Sequence, residues 1–127
     1  MAPVRAPLLV LVAALGCAAC SSSAPAGPLV LGWRFADSRD CFSAGAYVIQ
    51  ARTAPGFSAD AIGMFDCAAG IAPNAVTLAT VPGSGTLYVD ARSGQGADLY
   101  HGELSLDHAP PGTGERREVT LFAIAAQ

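Results

Sequence analysis

Short apolar runs with a period of two residues are the feature that most constrains the fold of this chain. From residue 28 onward these runs are separated by glycine, proline, aspartate and serine, and no stretch shows the apolar stripe of an amphipathic helix. Alternation of this kind is typical of strands that bury one face, and the intervening residues are turn formers. The sequence therefore predicts an all-β domain.

Seven strands are predicted from the alternation and from the turn residues between them. They cover residues 29–35, 45–52, 62–67, 76–80, 86–92, 98–106 and 117–125. The side chains predicted to share the inner face are Leu29, Leu31, Trp33, Phe35, Tyr47, Ile49, Ala51, Val76, Leu78, Thr80, Leu87, Val89, Ala91, Tyr100, Leu104, Leu106, Val119, Leu121 and Ala123. Seven strands at this spacing fit a two-sheet antiparallel sandwich.

Several short motifs fall on these strands. They are Trp33-x-Phe35, Cys41 in a loop, Tyr47-Val48-Ile49, Phe65-Asp66-Cys67, and the terminal pair Leu99-Tyr100-x-Gly102 and Val119-Thr120-Leu121. Together they resemble small lipoproteins with immunoglobulin-like or prealbumin-like β-sandwich domains. The resemblance covers roughly residues 28–125. It implies a fold but no catalytic residues, because such lipoproteins mostly have no assigned activity.

The N-terminus has the composition of a secretory signal. Arg5 precedes the apolar run 8–15, which is followed by Gly16-Cys17. The run is too short to span a membrane, which takes about 20 residues. Because a cysteine follows the small residue, the segment resembles the lipobox of bacterial lipoproteins. We expect residues 1–16 to be a cleaved signal peptide, 17–27 a lipidated flexible tether, and 28–127 the β-sandwich domain.

Two cysteines compete as the acyl acceptor. Cys17 is favoured because an aliphatic residue and a glycine precede it, and Cys20 is the alternative. The lipobox resemblance implies a permanent membrane anchor, since two or more acyl chains hold stably. Ala18 or Ser21, rather than aspartate, follows the acceptor, so the resemblance implies the outer membrane of a Gram-negative cell. An ordinary secreted protein cleaved near Ala19 remains the other interpretation.

The remaining two cysteines, Cys41 and Cys67, lie inside the domain. In the oxidising compartment that the signal implies, they are expected to form a disulfide. A metal site is the competing interpretation. Sites built from cysteine and histidine generally use closely spaced pairs, and neither cysteine has a second ligand two to four residues away.

Charge excludes some classes of function. All seven basic residues are arginines, so lysine Schiff-base and Walker-type chemistry is excluded. Processing at Cys17 removes Arg5 and leaves six arginines against ten acids, a formal charge of −4. Nucleic-acid binding depends on clustered cations, so no nucleic-acid partner is expected.

Two histidines are candidates for chemistry. His101 and Glu103 lie two apart on the sixth strand, so both are expected on the outer face, near Tyr88. A metal or acid/base site there lacks a third ligand. The competing interpretation is that these are solvent-exposed side chains of a strand without a functional role. Asp107-His108 precedes a proline-rich turn, and both residues are interpreted as part of that turn. We expect no cofactor, no metal ligand and no catalytic residue.

Other polar side chains and glycine pairs also have both a functional and a structural interpretation. Asp37, Asp40 and Asp66 would approach one another if the disulfide forms, and they offer calcium ligands or solvated loop acids. Ser43 and Ser58 lack the nucleophile elbow of serine hydrolases. The glycine pairs at 83–85 and 94–96 open no helix, so they favour turns over a phosphate cradle.

Exposed aromatic side chains are the remaining candidates for binding. Alternation predicts Trp33 in the core, whereas an exposed Trp33 would indicate stacking on a sugar or a partner. Phe122 and Ile124 fall opposite the inner face of the last strand, so they are either covered or form an exposed apolar patch.

These observations predict a non-enzymatic interaction or structural module at the cell envelope, attached to the membrane by its lipid and bound by an envelope protein. The absence of a recognised catalytic motif in the sequence motivates the non-enzymatic class. A small-ligand or carbohydrate binder is the first alternative, and a metal-assisted hydrolase is the second.

Overall fold

A computed structural model describes residues 25–55, 60–108 and 110–125. Within these ranges the chain forms an all-β domain with seven strands, as predicted. They are β1 (Gly27–Phe35), β2 (Val48–Arg52), β3 (Ala61–Asp66), β4 (Val76–Val81), β5 (Thr86–Arg92), β6 (Asp98–Ser105) and β7 (Arg116–Ala123). One helical turn, α1 (Cys41–Ala44), follows β1, and a 3₁₀ turn at Cys67–Gly70 follows β3.

The strands pair in the order β3-β2-β5-β6-β7-β1-β4. The pairings are antiparallel except that of β1 with β7, which is parallel, so the sheet is mixed rather than antiparallel throughout. Alternation predicts which face of a strand is buried but not the direction of its neighbour. The two end strands approach each other, since a Cβ at Gly63 of β3 would lie 2.5 Å from the Leu78 side chain of β4. The sheet is therefore barrel-like and nearly closed.

The interior of the barrel is filled by alternate residues of the strands. The predicted inner face of β1 is confirmed, since Leu29, Leu31, Trp33 and Phe35 are each at most 2% exposed. The Trp33 indole N–H donates to the carbonyl oxygen of Cys67 at 2.8 Å. Its one polar atom is thereby satisfied, which lets the largest side chain of the core be buried completely.

Three of the predicted inner-face positions are exposed. Tyr47 precedes β2 and is 65% exposed, with its ring against Gly94. A β-bulge shifts the register of β4 against β1, so Thr80 faces solvent and Val81 turns inward. Ala123 is the last residue of β7 and is also exposed. Alternation shows the side of a strand but not where the core ends along it.

The two interior cysteines form a disulfide, as predicted. The bond joins Cys41, the first residue of α1, to Cys67, which directly follows β3, and their Cα atoms are 6.0 Å apart. The disulfide ties the segment after β1 to the end of β3. The carbonyl oxygen of Cys67 is also the acceptor of the Trp33 indole, so the cross-link and the core meet at one residue.

The predicted boundaries fall partly outside the described residues. The signal peptide at 1–16, most of the tether at 17–27, and both candidate acyl acceptors, Cys17 and Cys20, lie outside them. The first strand begins at Gly27, one residue before the predicted start of the domain. In the described ranges, the structure contains no helix with the length and apolarity needed to cross a bilayer.

Removing the disulfide is expected to lower the free energy of unfolding. Replacing Cys41 and Cys67 together by alanine returns to the unfolded chain the freedom of a loop of 26 residues, a cost of about 3.5 kcal/mol in the chain-entropy model. Urea unfolding of the full-length chain, followed by Trp33 fluorescence, measures the change. Wild type with its disulfide reduced is the matched control, and equal stability of the oxidised and reduced forms would contradict the prediction.

Candidate functional site

The outer face of the barrel carries a row of side chains on neighbouring strands. Strand pairing places Met64, Gln50, Asp90, His101 and Phe122 at successive cross-strand positions from β3 to β7. Directly paired residues on one face are close enough to interact. The row is polar in the middle and apolar at both ends, where Met64 and Phe122 are each 60% exposed.

A buried ion pair lies beside the centre of this row. The Arg52 guanidinium on β2 bonds to the Asp90 carboxylate on β5, and the two side chains are 4% and 3% exposed. Charges withdrawn from water are retained in a fold only when they are paired and hydrogen-bonded. The pair therefore links β2 to β5 and fixes the position of the Asp90 carboxylate.

Asp90 in turn orients His101 on β6. The Nδ1 atom of His101 lies 2.6 Å from Oδ1 of Asp90, and its Nε2 atom lies 3.0 Å from Oε2 of Glu103. The Tyr88 ring stacks beside the imidazole, with the ring centroids 6.3 Å apart. The prediction that His101, Glu103 and Tyr88 share the outer face is confirmed. His101 is thus held from the buried side by a carboxylate and remains 37% exposed towards solvent.

A groove of about 430 Å³ opens beside His101, between β6 and β7. The ladder between the two strands consists of two residue pairs, Tyr100 with Ala123 and His101 with Phe122. The groove is lined by His101, Gly102, Glu103, Glu118, Val119, Thr120 and Phe122. Gly102 lets the two strands approach at its floor, since a Cβ there would lie 2.9 Å from Cγ2 of Val119.

The acidic side chains of the groove are paired with nitrogen bases. Glu103 lies against His101, while Glu118 is 2.9 Å from Arg116 and 3.5 Å from Arg34. Exposed pairs of this kind add little to stability. They do balance the local charge, so the groove is polar without a strong excess of either sign.

Asp90 and Arg52 were not predicted from the sequence as site residues. Alternation places both on the outer face of their strands, and a charged residue in that position is ordinarily read as solvated. One local signal was present, since Asp90 stands between Val89 and Ala91 in the middle of a strand. Its partner lies 38 residues away, so no short motif contains the pair.

Two of the three aspartates proposed as calcium ligands have other roles. Asp37 accepts a hydrogen bond from the Tyr100 hydroxyl at 2.8 Å. Asp40 accepts one from the Ser43 backbone N–H at 2.7 Å and caps α1, and Ser43 completes the capping box. Over residues 25–55, 60–108 and 110–125, no three His, Cys, Asp or Glu side chains form a group suited to a metal ion.

The remaining sequence candidates fall in turns or in the core. Asp107 accepts from the Gly85 N–H at 3.3 Å, and Nδ1 of His108 lies 3.1 Å from the Ser105 hydroxyl, as expected of turn residues. Ser58 lies outside the described residues. Trp33 is 0% exposed, so it offers no surface for stacking on a ligand. Phe122 and Ile124 are exposed, as expected for an exposed apolar patch and not for a covered face of the last strand.

The groove therefore combines an oriented imidazole, two carboxylates, a threonine hydroxyl and an exposed aromatic ring. Such a set donates and accepts hydrogen bonds and offers a flat apolar surface. No family model matches this chain, and neither a curated protein nor a solved structure is significantly similar to it.

Replacing Asp90 by asparagine is expected to destabilise the protein strongly. The change removes the buried carboxylate paired with Arg52, and breaking a buried pair costs about 3–5 kcal/mol. Glu115→Gln is the control, because Glu115 pairs with Arg117 while its side chain is 69% exposed. The control should cost less than about 1 kcal/mol. If urea unfolding showed the same loss of unfolding free energy in the Asp90→Asn variant and in the control, burial of the ion pair would not explain the destabilisation.

Acid sensitivity is expected from Asp37 and Tyr100. The Tyr100 hydroxyl lowers the pKa of Asp37 below 3.8, and burial raises the pKa of Tyr100. Because the pKa of Asp37 is lowered on folding, its contribution to stability is present above pH 3.8 and is lost as the pH falls through the folded value. Tyr100→Phe should raise the pKa of Asp37 towards 3.8 in an NMR titration. Tyr88→Phe is the control and should leave it unchanged.

Proposed function

We propose that this protein is a lipid-anchored lipoprotein of the cell envelope whose β-domain is a non-enzymatic binding module. The Cys41–Cys67 disulfide carries the proposal. Disulfides form and persist in oxidising compartments outside the cytoplasm. A segment with the composition of an export signal, ending in a lipobox-like cysteine, precedes the domain. The two features independently favour export.

Cys17 is the proposed acyl acceptor, and Cys20 is the alternative. Acylation at Cys17 leaves residues 17–27 as the tether that reaches β1. An extended chain covers at most about 3.6 Å per residue, so the tether of residues 17–27 can reach at most about 40 Å. The domain would then stay close to the membrane surface. The residue after either cysteine is not aspartate, which favours the outer membrane.

We infer binding rather than catalysis from the state of the groove. Its carboxylates are each held by a nitrogen base, and the His101 imidazole has a carboxylate oxygen near both ring nitrogens. A general base or nucleophile must instead be directed at a substrate. A balanced, oriented set of polar groups beside an exposed ring suits recognition.

We further propose a prealbumin-like sandwich as the finer class of the fold. The short β6–β7 ladder divides the order into β3-β2-β5-β6 and β7-β1-β4. Immunoglobulin constant domains instead group their first, second, fifth and fourth strands against the third, sixth and seventh. The grouping here departs from that arrangement, which favours the other of the two sandwich classes considered.

Metabolic labelling with a radioactive fatty acid tests the anchor. We expect the full-length chain and the Cys20→Ser variant to be labelled and to sediment with membranes, and the Cys17→Ser variant to lose both properties. The reverse pattern would assign acylation to Cys20 and keep the anchor. Absence of label from wild type, or an unprocessed chain in the cytosol, would refute the proposal.

A further inference from the structure

We propose that the groove between β6 and β7 is a carbohydrate-binding site that packs a neutral sugar ring against Phe122. This inference rests on the proposed role of the domain as a binding module and names the ligand class of its site. It is independent of which cysteine is acylated.

The exposed phenyl ring is the first observation. Phe122 is 60% exposed, and strand pairing places it directly beside His101. One face of a pyranose ring carries mainly C–H groups, and this face packs on an aromatic ring while the hydroxyl groups project towards polar neighbours. An aromatic side chain flanked by hydrogen-bonding groups therefore matches a sugar better than a wholly apolar ligand.

The polar wall of the groove supplies the matching hydrogen bonds. Glu103 offers carboxylate acceptors and Thr120 offers a hydroxyl, while Nε2 of His101 holds one oxygen of the Glu103 carboxylate in place. A carboxylate accepts several hydrogen bonds, so a sugar hydroxyl can donate to Glu103 while Glu103 keeps its contact with Nε2 of His101.

The wall is also held in place from beneath. Arg52 fixes Asp90, and Asp90 holds the imidazole of His101 through Nδ1. A binding group that is already oriented loses less conformational entropy when the ligand arrives. Binding should therefore depend on His101 in its present orientation rather than on a rearrangement of the strand.

Charge and size restrict the class of ligand. The acidic side chains at the groove lie against His101, Arg34 and Arg116, so no uncompensated charge of one sign faces the ligand. This balance favours a neutral, hydroxyl-rich molecule over an inorganic cation or an anion. A volume of about 430 Å³ lies in the lower part of the roughly 300–1,000 Å³ range of ligand sites, which suits a segment of one or two sugar rings.

Titration of the full-length protein with neutral disaccharides tests the site. Maltose, cellobiose and N,N′-diacetylchitobiose are the probes, with the protein in a detergent that carries no sugar headgroup. We expect saturable binding of at least one probe by calorimetry. Phe122→Ala and His101→Gln should each weaken it at least about tenfold, equivalent to 1.4 kcal/mol.

Two variants serve as matched controls. Met64 is as exposed as Phe122 and lies at the other end of the same row, so Met64→Ala should leave the affinity unchanged. His108→Gln should also have no effect, because His108 lies in the turn after β6. Circular dichroism of each variant shows that the fold is retained.

Several results would overturn the site. The first is that none of the three probes binds saturably. The second is that Phe122→Ala and Met64→Ala lower the affinity for the sugar equally. The third is that Zn²⁺ binds, that His101→Gln abolishes this binding, and that the sugars do not bind. None of these results changes the fatty-acid label at Cys17, so failure of the sugar site is distinguishable from failure of the anchor.

Discussion

The buried Arg52–Asp90 ion pair is the interaction on which the outer face of this barrel depends. A carboxylate that is 3% exposed cannot stay ionised without compensation, and Arg52 provides it from the neighbouring strand. Asp90 then has a second oxygen for His101, which extends the contact to β6. One buried charge thus connects three strands and sets the geometry of the groove wall.

The inner face has a corresponding junction at Cys67. Its sulfur is bonded to Cys41, and its carbonyl oxygen accepts the indole hydrogen of Trp33, near the end of β1. Gly70, at the end of the same 3₁₀ turn, must lack a side chain because a Cβ would meet the Trp33 ring at 2.6 Å. The covalent cross-link and the packing of the largest core side chain therefore stabilise the same end of the barrel.

The groove arises where regular pairing stops. After His101 and Phe122 the β6–β7 ladder is not continued, and the side chains of both strands line the space between them. The result is a polar recess with balanced charge next to an exposed phenyl ring. These properties support the proposed recognition of a neutral ligand, and the proposed lipid anchor would hold such a site at the envelope. Its physical basis is preorganisation by the buried charges rather than a reactive group.

The sequence alone determined the all-β class, the approximate positions of the strands, the core face of β1 and the pairing of Cys41 with Cys67. The first three follow from local alternation, and the cysteine pairing follows from the expectation that the chain is exported to an oxidising compartment. Only the tertiary structure decided the parallel pairing of β1 with β7, the exposure of Tyr47 and the burial of Asp90. The reason is that alternation specifies the side on which a residue lies. What covers that side, and which strand lies next to it, depends on contacts between distant segments, such as the 38 residues that separate Arg52 from Asp90.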